Sequence, residues 1–225
     1  MRPIDLNPGE AVLHEGDPGR CAVVLPGVRY FSQAPLLWFA REAAQAAGWS
    51  VLELSERAPG DQEPFEWMRG RAARALDATS AGTVAVIGKS LGSAAAPLVA
   101  SRGLPAVWLT PLLVRPDVVS ALASSSAPVL LVGSTADPTW SDGEQPGGES
   151  VSVLEFEGLD HSLQVEGDPL ASLDVLRQVT ERIGAFLEVS GPARAPASPR
   201  AGPASRPSAP PAIPSPRRRT GTSGP

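Results

Sequence analysis

The sequence predicts an α/β protein, a three-layer sandwich in which a mostly parallel sheet of about six to seven strands carries helices on both faces. Three observations predict it. Nearly continuous apolar runs such as CAVVLPG (21–27), TVAVIG (83–88) and APVLLVGS (127–134) read as strands buried on both faces. Segments with apolar residues three and four apart lie between those runs. Gly and Pro punctuate the joins, as at Pro26-Gly27 and Gly48.

In chain order, the strand at 21–27 is followed by PLLWFAREAAQAAG, a helix closed by Gly48, and by the strand WSVLEL (49–54). In DQEPFEWMRGRAARALDATS, residues Phe65, Met68, Ala72, Ala75 and Leu76 form one apolar face, with Asp61 near the N-cap. The strand TVAVIG then leads into GKSLG and an Ala-rich helical run that Pro97 is expected to bend. LPAVWLTPLL (104–113) reads as a strand, PDVVSALASS as a short helix with Pro116 in its first turn, and APVLLVGS as the next strand. ESVSVLEF (149–156) is the last strand. The final helix opens at Asp168-Pro169 and aligns Leu170, Leu173, Leu176, Val179, Ile183 and Phe186 on an apolar face.

From Ser190 the composition changes to ten Pro, six Arg and no acid, which cannot bury enough apolar surface to offset ordering entropy. This places a folded domain over 1–189 and a disordered Pro/Ala/Arg-rich tail over 190–225, whose partner is left unassigned. The net charge of -5 leaves -11 on residues 1–189, an acidic balance that argues against nucleic-acid binding by the core. The single Cys21 excludes an internal disulfide framework and a cysteine-rich metal site; no metal or other cofactor is implied. The N-terminal MRPIDLNPGE has no apolar leader core, and no run reaches about 18 apolar residues, so the expectation is a cytoplasmic protein without membrane partners.

In an open α/β sheet, chemistry gathers beyond the carboxyl ends of the strands. There Gly88-Lys89-Ser90-Leu91-Gly92 matches G-x-S-x-G, a strained strand-to-helix turn whose flanking glycines, Gly88 and Gly92, avoid the crowding that Cβ atoms would cause. The phosphate-loop spacing G-x-x-x-x-G-K-[ST] is absent, since Lys89 precedes the serine. A serine nucleophile needs a base, a group orienting that base, and donors for the oxyanion. Of the two histidines, His14 precedes the first predicted strand and reads as a surface residue, whereas His161 follows the last strand. Asp137 lies beyond the carboxyl end of APVLLVGS; Asp142, Glu157 and Asp160 are nearby alternatives.

The order Ser90, Asp137, His161 at successive strand ends resembles the alpha/beta hydrolase superfamily over residues 20–189, in a compact, lidless form similar to the dienelactone-hydrolase-like branch but with serine as nucleophile. The resemblance implies Ser90 as nucleophile, His161 as base and then acid, and Asp137 as its orienting carboxylate. Leu91 matches the residue whose backbone N–H is one oxyanion donor, and Val28, in PGVRYFS, is the candidate for the second. That loop carries Pro26-Gly27 where family members often have His-Gly. The implied activity is cleavage of small carboxylic esters or thioesters through an acyl-enzyme. A non-catalytic interaction module and an acyltransferase with the same triad stay open. Tyr30, Phe31, Leu112, Leu113 and Trp140 are candidates to line the pocket, and Arg29 and Arg115 to attract a substrate carboxylate. Lys89, the only lysine, stands at the variable position of the turn, where a charged residue can pair with an acid and fix the turn; no catalytic role is assigned to it, and its role stays open.

Overall fold

Side chains alternate across the strands so that each central strand feeds two cores. The computed structural model describes residues 1–56, 63–141, 143 and 145–190. Its sheet has eight strands: β1 (Arg2–Asp5), β2 (Glu10–His14), β3 (Asp17–Leu25), β4 (Trp49–Glu53), β5 (Thr83–Lys89), β6 (Ala106–Leu109), β7 (Val129–Ser134) and β8 (Val151–Phe156). They lie in the order β1-β2-β4-β3-β5-β6-β7-β8. The six strands β3 to β8 are mutually parallel, while β1 and β2 form an antiparallel extension paired to β4. The apolar-run criterion finds the six parallel strands and misses the first two, which are short and partly exposed and whose sequences, RPID and EAVLH, contain no apolar run longer than three residues.

Cys21, Val23 and Leu25 of β3, with Trp108 of β6 and Leu131 of β7, point to one core. Over it lie α2 (Pro64–Asp77), α3 (Ala96–Ser101) and α4 (Pro116–Ala123), which contribute Met68, Val99 and Val118. Ala22, Val24, Ile87 and Leu130 point to the opposite core, covered by α1 (Pro35–Ala46) and α6 (Pro169–Ser190) through Leu37, Val179 and Ile183. A four-residue helix, α5 (Pro138–Ser141), follows β7. Among the described residues no helix is long and apolar enough to cross a membrane.

Local chemistry sets the element ends. Asp168 Oδ1 accepts from the amides of Leu170 (3.1 Å) and Ala171 (2.9 Å), capping α6 as its sequence predicts. The predicted cap Asp61 lies outside the described residues; Glu63 caps α2 instead, accepting from the Glu66 amide at 3.0 Å. Pro97 does not bend a helix. A 3-10 segment spans Ser90–Ala95, and Pro97 falls in the first turn of α3, where its missing N–H leaves no bond unmade. Strand β6 stops at Leu109 because Thr110 takes a left-handed φ of 42°, so Leu112 and Leu113 belong to a loop. Leu170 and Leu173, predicted for the buried face of the last helix, are 73% and 57% exposed. The sequence from Ser190 to Pro225, expected as a disordered tail, lies outside the described residues after Ser190 closes α6.

The topology selects one place for a site. From β3 the chain crosses through α1 to β4, then returns through α2 to β5 on the other side of β3. The strand order therefore reverses between β3 and β5, and the loops leaving their carboxyl ends, at Pro26 and Ser90, diverge around a crevice.

Candidate active site

Ser90 sits at that reversal with φ 50°, the left-handed backbone expected of a tight strand-to-helix turn and costly for a residue with a Cβ. The turn closes only because its neighbours lack side chains. A Cβ on Gly88 would stand 2.4 Å from the Trp108 ring, and one on Gly92 2.9 Å from the Leu25 carbonyl oxygen. Ser93, unnoticed in the sequence, donates from Oγ to the Ser90 carbonyl (2.7 Å) and accepts from the Leu112 amide (3.1 Å), tying the turn to the loop after β6.

His161 Nε2 lies 2.9 Å from Ser90 Oγ, and His161 Nδ1 lies 2.7 Å from Asp137 Oδ2. Asp137 is fully buried. Burial pushes its carboxyl up, but hydrogen bonds from His161 and Thr139 outweigh this and hold it below the usual carboxylate range. An ionised carboxylate only accepts, so Nδ1 carries the imidazole proton and Nε2 turns a lone pair toward the serine hydroxyl. Thr139 bonds Asp137 Oδ1 twice, from its amide (2.9 Å) and its hydroxyl (2.8 Å), a device signalled only by the Asp-Pro-Thr spacing. The alternative acids are otherwise placed. Asp160 Oδ1 accepts from the amides of Ser162 and Gln164, Glu157 is exposed, and Asp142 lies outside the described residues.

A cavity of about 310 Å³ opens over Ser90, with Lys89 at its base, Val28, Arg29 and Tyr30 on one side and His161 and Ser162 on the other. Gly27 N–H donates to the Tyr30 carbonyl (3.0 Å), closing a turn with Val28 at its exposed tip; Leu91 is buried in the first turn of the 3-10 segment. Phe31, Leu112, Leu113 and Trp140 do not line this cavity. Trp140 instead fills the space above Gly133, where a Cβ would come within 2.0 Å of the indole, and its Nε1 donates to Glu155 at 2.7 Å. Arg115 stacks over Phe65 and pairs with Asp117, away from the cavity. A larger hollow of about 440 Å³ opens beside Cys21, Ser50 and Thr79, at the amino ends of the strands and so at the opposite end of the sheet. Among the described residues no three His, Cys, Asp or Glu side chains converge as a metal site.

Two buried charged groups support the site. Glu53, at the carboxyl end of β4, accepts from Ser32 Oγ (2.6 Å) and Gln33 Nε2 (3.0 Å), anchoring the loop that carries Val28, and pairs with Arg41 (2.9 Å). His14 completes this cluster at 3.0 Å from Glu53, 11% exposed, so it is a partly buried β2 residue and not a surface one. Lys89 is 1% exposed, and among the described residues no acid lies within ion-pair distance of it. Its Nζ donates to Thr110 Oγ1 (2.6 Å) and the His161 carbonyl (2.8 Å), 5.0 Å from the centre of the Tyr30 ring.

Burial lowers the Lys89 pKa to about 8, with Asp137 and Asp160 pulling part of the way back. The unfolded chain keeps this proton to about 10.5, so between the two values the unfolded state holds more protons and stability rises with pH. Urea melts at pH 7.5 and 10 should therefore show the wild type gaining up to roughly 3 kcal/mol relative to Lys89→Met. Parallel changes in the two proteins would mean that Lys89 is not held near 8.

No family model and no curated protein matches the sequence. Solved structures do. Est1E from Butyrivibrio proteoclasticus, solved with ferulic acid bound, superimposes with a TM-score of 0.63 at 13% identity, covering 84% of this chain and 99% of its own. XC6422 from Xanthomonas campestris, an a/b serine hydrolase without lid, gives 0.60 at 13% identity, covering 83% and 91%. The esterase domain of a Rhodothermus marinus protein gives 0.58 at 20% identity, covering 81% and 93%. The chain has the alpha/beta hydrolase fold. Within that fold it keeps the bare arrangement, with only the Thr110–Arg115 loop between β6 and α4 and only the four-residue α5 directly after β7.

Proposed function

We propose that the protein is a serine hydrolase that cleaves carboxylic esters or thioesters through an acyl-enzyme. The observation that carries this reading is the continuous hydrogen-bonded line from Ser90 Oγ through His161 to buried Asp137, at the mouth of a cavity beyond the strand ends. In the proposed reaction, Ser90 Oγ bonds to the carbonyl carbon while its proton passes to His161 Nε2. The oxyanion is received by the Leu91 amide, with Val28 as the second donor. The imidazolium, balanced by Asp137, gives its proton to the leaving alcohol or thiol as the carbon–heteroatom bond breaks. Water then loses a proton to His161 and attacks the acyl carbon, and the imidazolium returns that proton to Ser90 Oγ as the acyl–oxygen bond breaks, releasing the acid. His161 is 36% exposed, which leaves the imidazole open to that water and favours hydrolysis over transfer to another acceptor.

Rapid mixing with 4-nitrophenyl acetate is the test. The expected result is a burst of about one nitrophenolate per chain followed by slower steady release, with an acetyl group recovered on Ser90 by mass spectrometry. Release no faster than in buffer alone, from folded protein, would contradict the reading.

A further inference from the structure

The cavity over Ser90 has a neighbour on the far side of Tyr30. Tyr30 and Ser162 also wall a second hollow of about 130 Å³ between α1 and α6, completed by Leu36, Leu163, Leu173 and Leu176. Leu173 and Leu176 in turn line a third, of about 210 Å³, running along Phe39. Three hollows thus follow one another from the nucleophile outward, each sharing two side chains with the next. Their common wall is fixed, because the Leu36 amide donates to the Tyr30 hydroxyl (3.0 Å) and the ring packs against the Lys89 ammonium.

Apolar side chains make up most of the second hollow's wall, beside Ser162, Gln164 and Ser172, and half of the third's, beside Arg177, Thr180 and Glu181. Arg177, at the edge of the third, is bound to Glu181 at 3.0 Å, so it offers no unpaired cation to a charged chain end. The apolar pattern of α6 also runs beyond what its core contacts require. Leu176, Val179 and Ile183 are buried, but Leu173 keeps more than half its surface in water above the groove, opposite partly exposed Phe39 of α1. An apolar row that leads away from a reactive serine gains its burial when substrate covers it.

We infer that this groove receives the apolar chain of the substrate, so that the protein acts on esters carrying an extended alkyl or aryl group, with Leu173 setting the preference. The inference rests on the proposed hydrolase reading for the identity of the reacting group, and on the shared walls for the path of the chain. Each methylene laid in a closed apolar site gains about fourfold in binding, and a half-open groove yields roughly half of that free energy, or about twofold.

The test compares kcat/KM for 4-nitrophenyl acetate and octanoate, with methyl and octyl acetate reading the alcohol side. The wild type should favour the long chain by about tenfold or more in at least one series. Leu173→Asp should bring that ratio to within about threefold of one, whereas Leu170→Asp, a control on the same helix but off the hollows, should keep it. No chain-length preference in either series, or a ratio that Leu173→Asp leaves intact, would overturn the inference. A second measurement needs no catalysis. Ser90→Ala protein should bind octanoate at least about tenfold more tightly than butyrate, or octanol than butanol, by calorimetry, a difference lost when Leu173→Asp is added. Equal affinities within both pairs would overturn the groove whatever the enzyme does. Chain-dependent binding without any ester cleavage would overturn the hydrolase reading alone.

Discussion

Ser90→Ala should lower kcat for ester cleavage by about ten-thousand-fold or more while leaving the fold intact. The size follows from the proposed role, since removing the nucleophile of an acyl-transfer triad leaves only binding and oxyanion stabilisation. Intact folding follows from the surroundings. Ser90 Oγ makes its hydrogen bond to His161, the main-chain φ of 50° is equally strained for alanine, and the turn is held by Ser93. Ser90→Gly should lose the same activity yet gain up to about 1 kcal/mol in urea denaturation, because glycine adopts this φ without a Cβ clash. Activity of Ser90→Ala within tenfold of the wild type would remove Ser90 from the chemistry.

Asp137→Asn should lower kcat by about a thousand- to ten-thousand-fold, for a different reason. The carboxylate accepts from His161 Nδ1 at 2.7 Å; an amide nitrogen placed there would instead donate to Nδ1, which favours the tautomer with its proton on Nε2. Nε2 then faces Ser90 as a donor and cannot take its proton. The same carboxyl, held below its ordinary 3.8, stabilises the folded state at pH values above that figure. Protonation removes the contribution as pH falls through the lowered folded value. The wild type should therefore exceed Asp137→Asn in stability at pH 6, and the gap should narrow below pH 4 in acid-titrated melts. A rate loss under tenfold would mean that His161 keeps its working tautomer without Asp137.

What the sequence made legible was governed by strand ends. Ser90 and Asp137 stand just beyond dense apolar runs and His161 beyond the alternating strand 151–156, so an ordering argument brought together three side chains that the fold holds within hydrogen-bond reach. Features set by packing between distant segments were not legible. Trp140 follows a strand and so reads as a candidate to line the pocket, yet it is core because Gly133, seven residues earlier, leaves room for its indole. His14 reads as surface because β2 has no apolar run, and its burial depends on pairing with β4 and on Glu53. Lys89 suggests an acid partner, but its partners are a hydroxyl and a main-chain carbonyl, and main-chain acceptors leave no mark in a sequence. Leu170 and Leu173 continue a helical period correctly; periodicity cannot say where the covering core stops.

The central claim, that Ser90 is a nucleophile activated by His161, is tested most directly by a fluorophosphonate, which reacts covalently only with an activated hydroxyl. Intact-mass analysis of the wild-type protein should show a single phosphonyl adduct, mapped to Ser90 after digestion, with Ser90→Ala unlabelled and Asp137→Asn labelled far more slowly. Well-folded wild-type protein that stays unlabelled, or a Ser90→Ala variant labelled to the same extent, would contradict it.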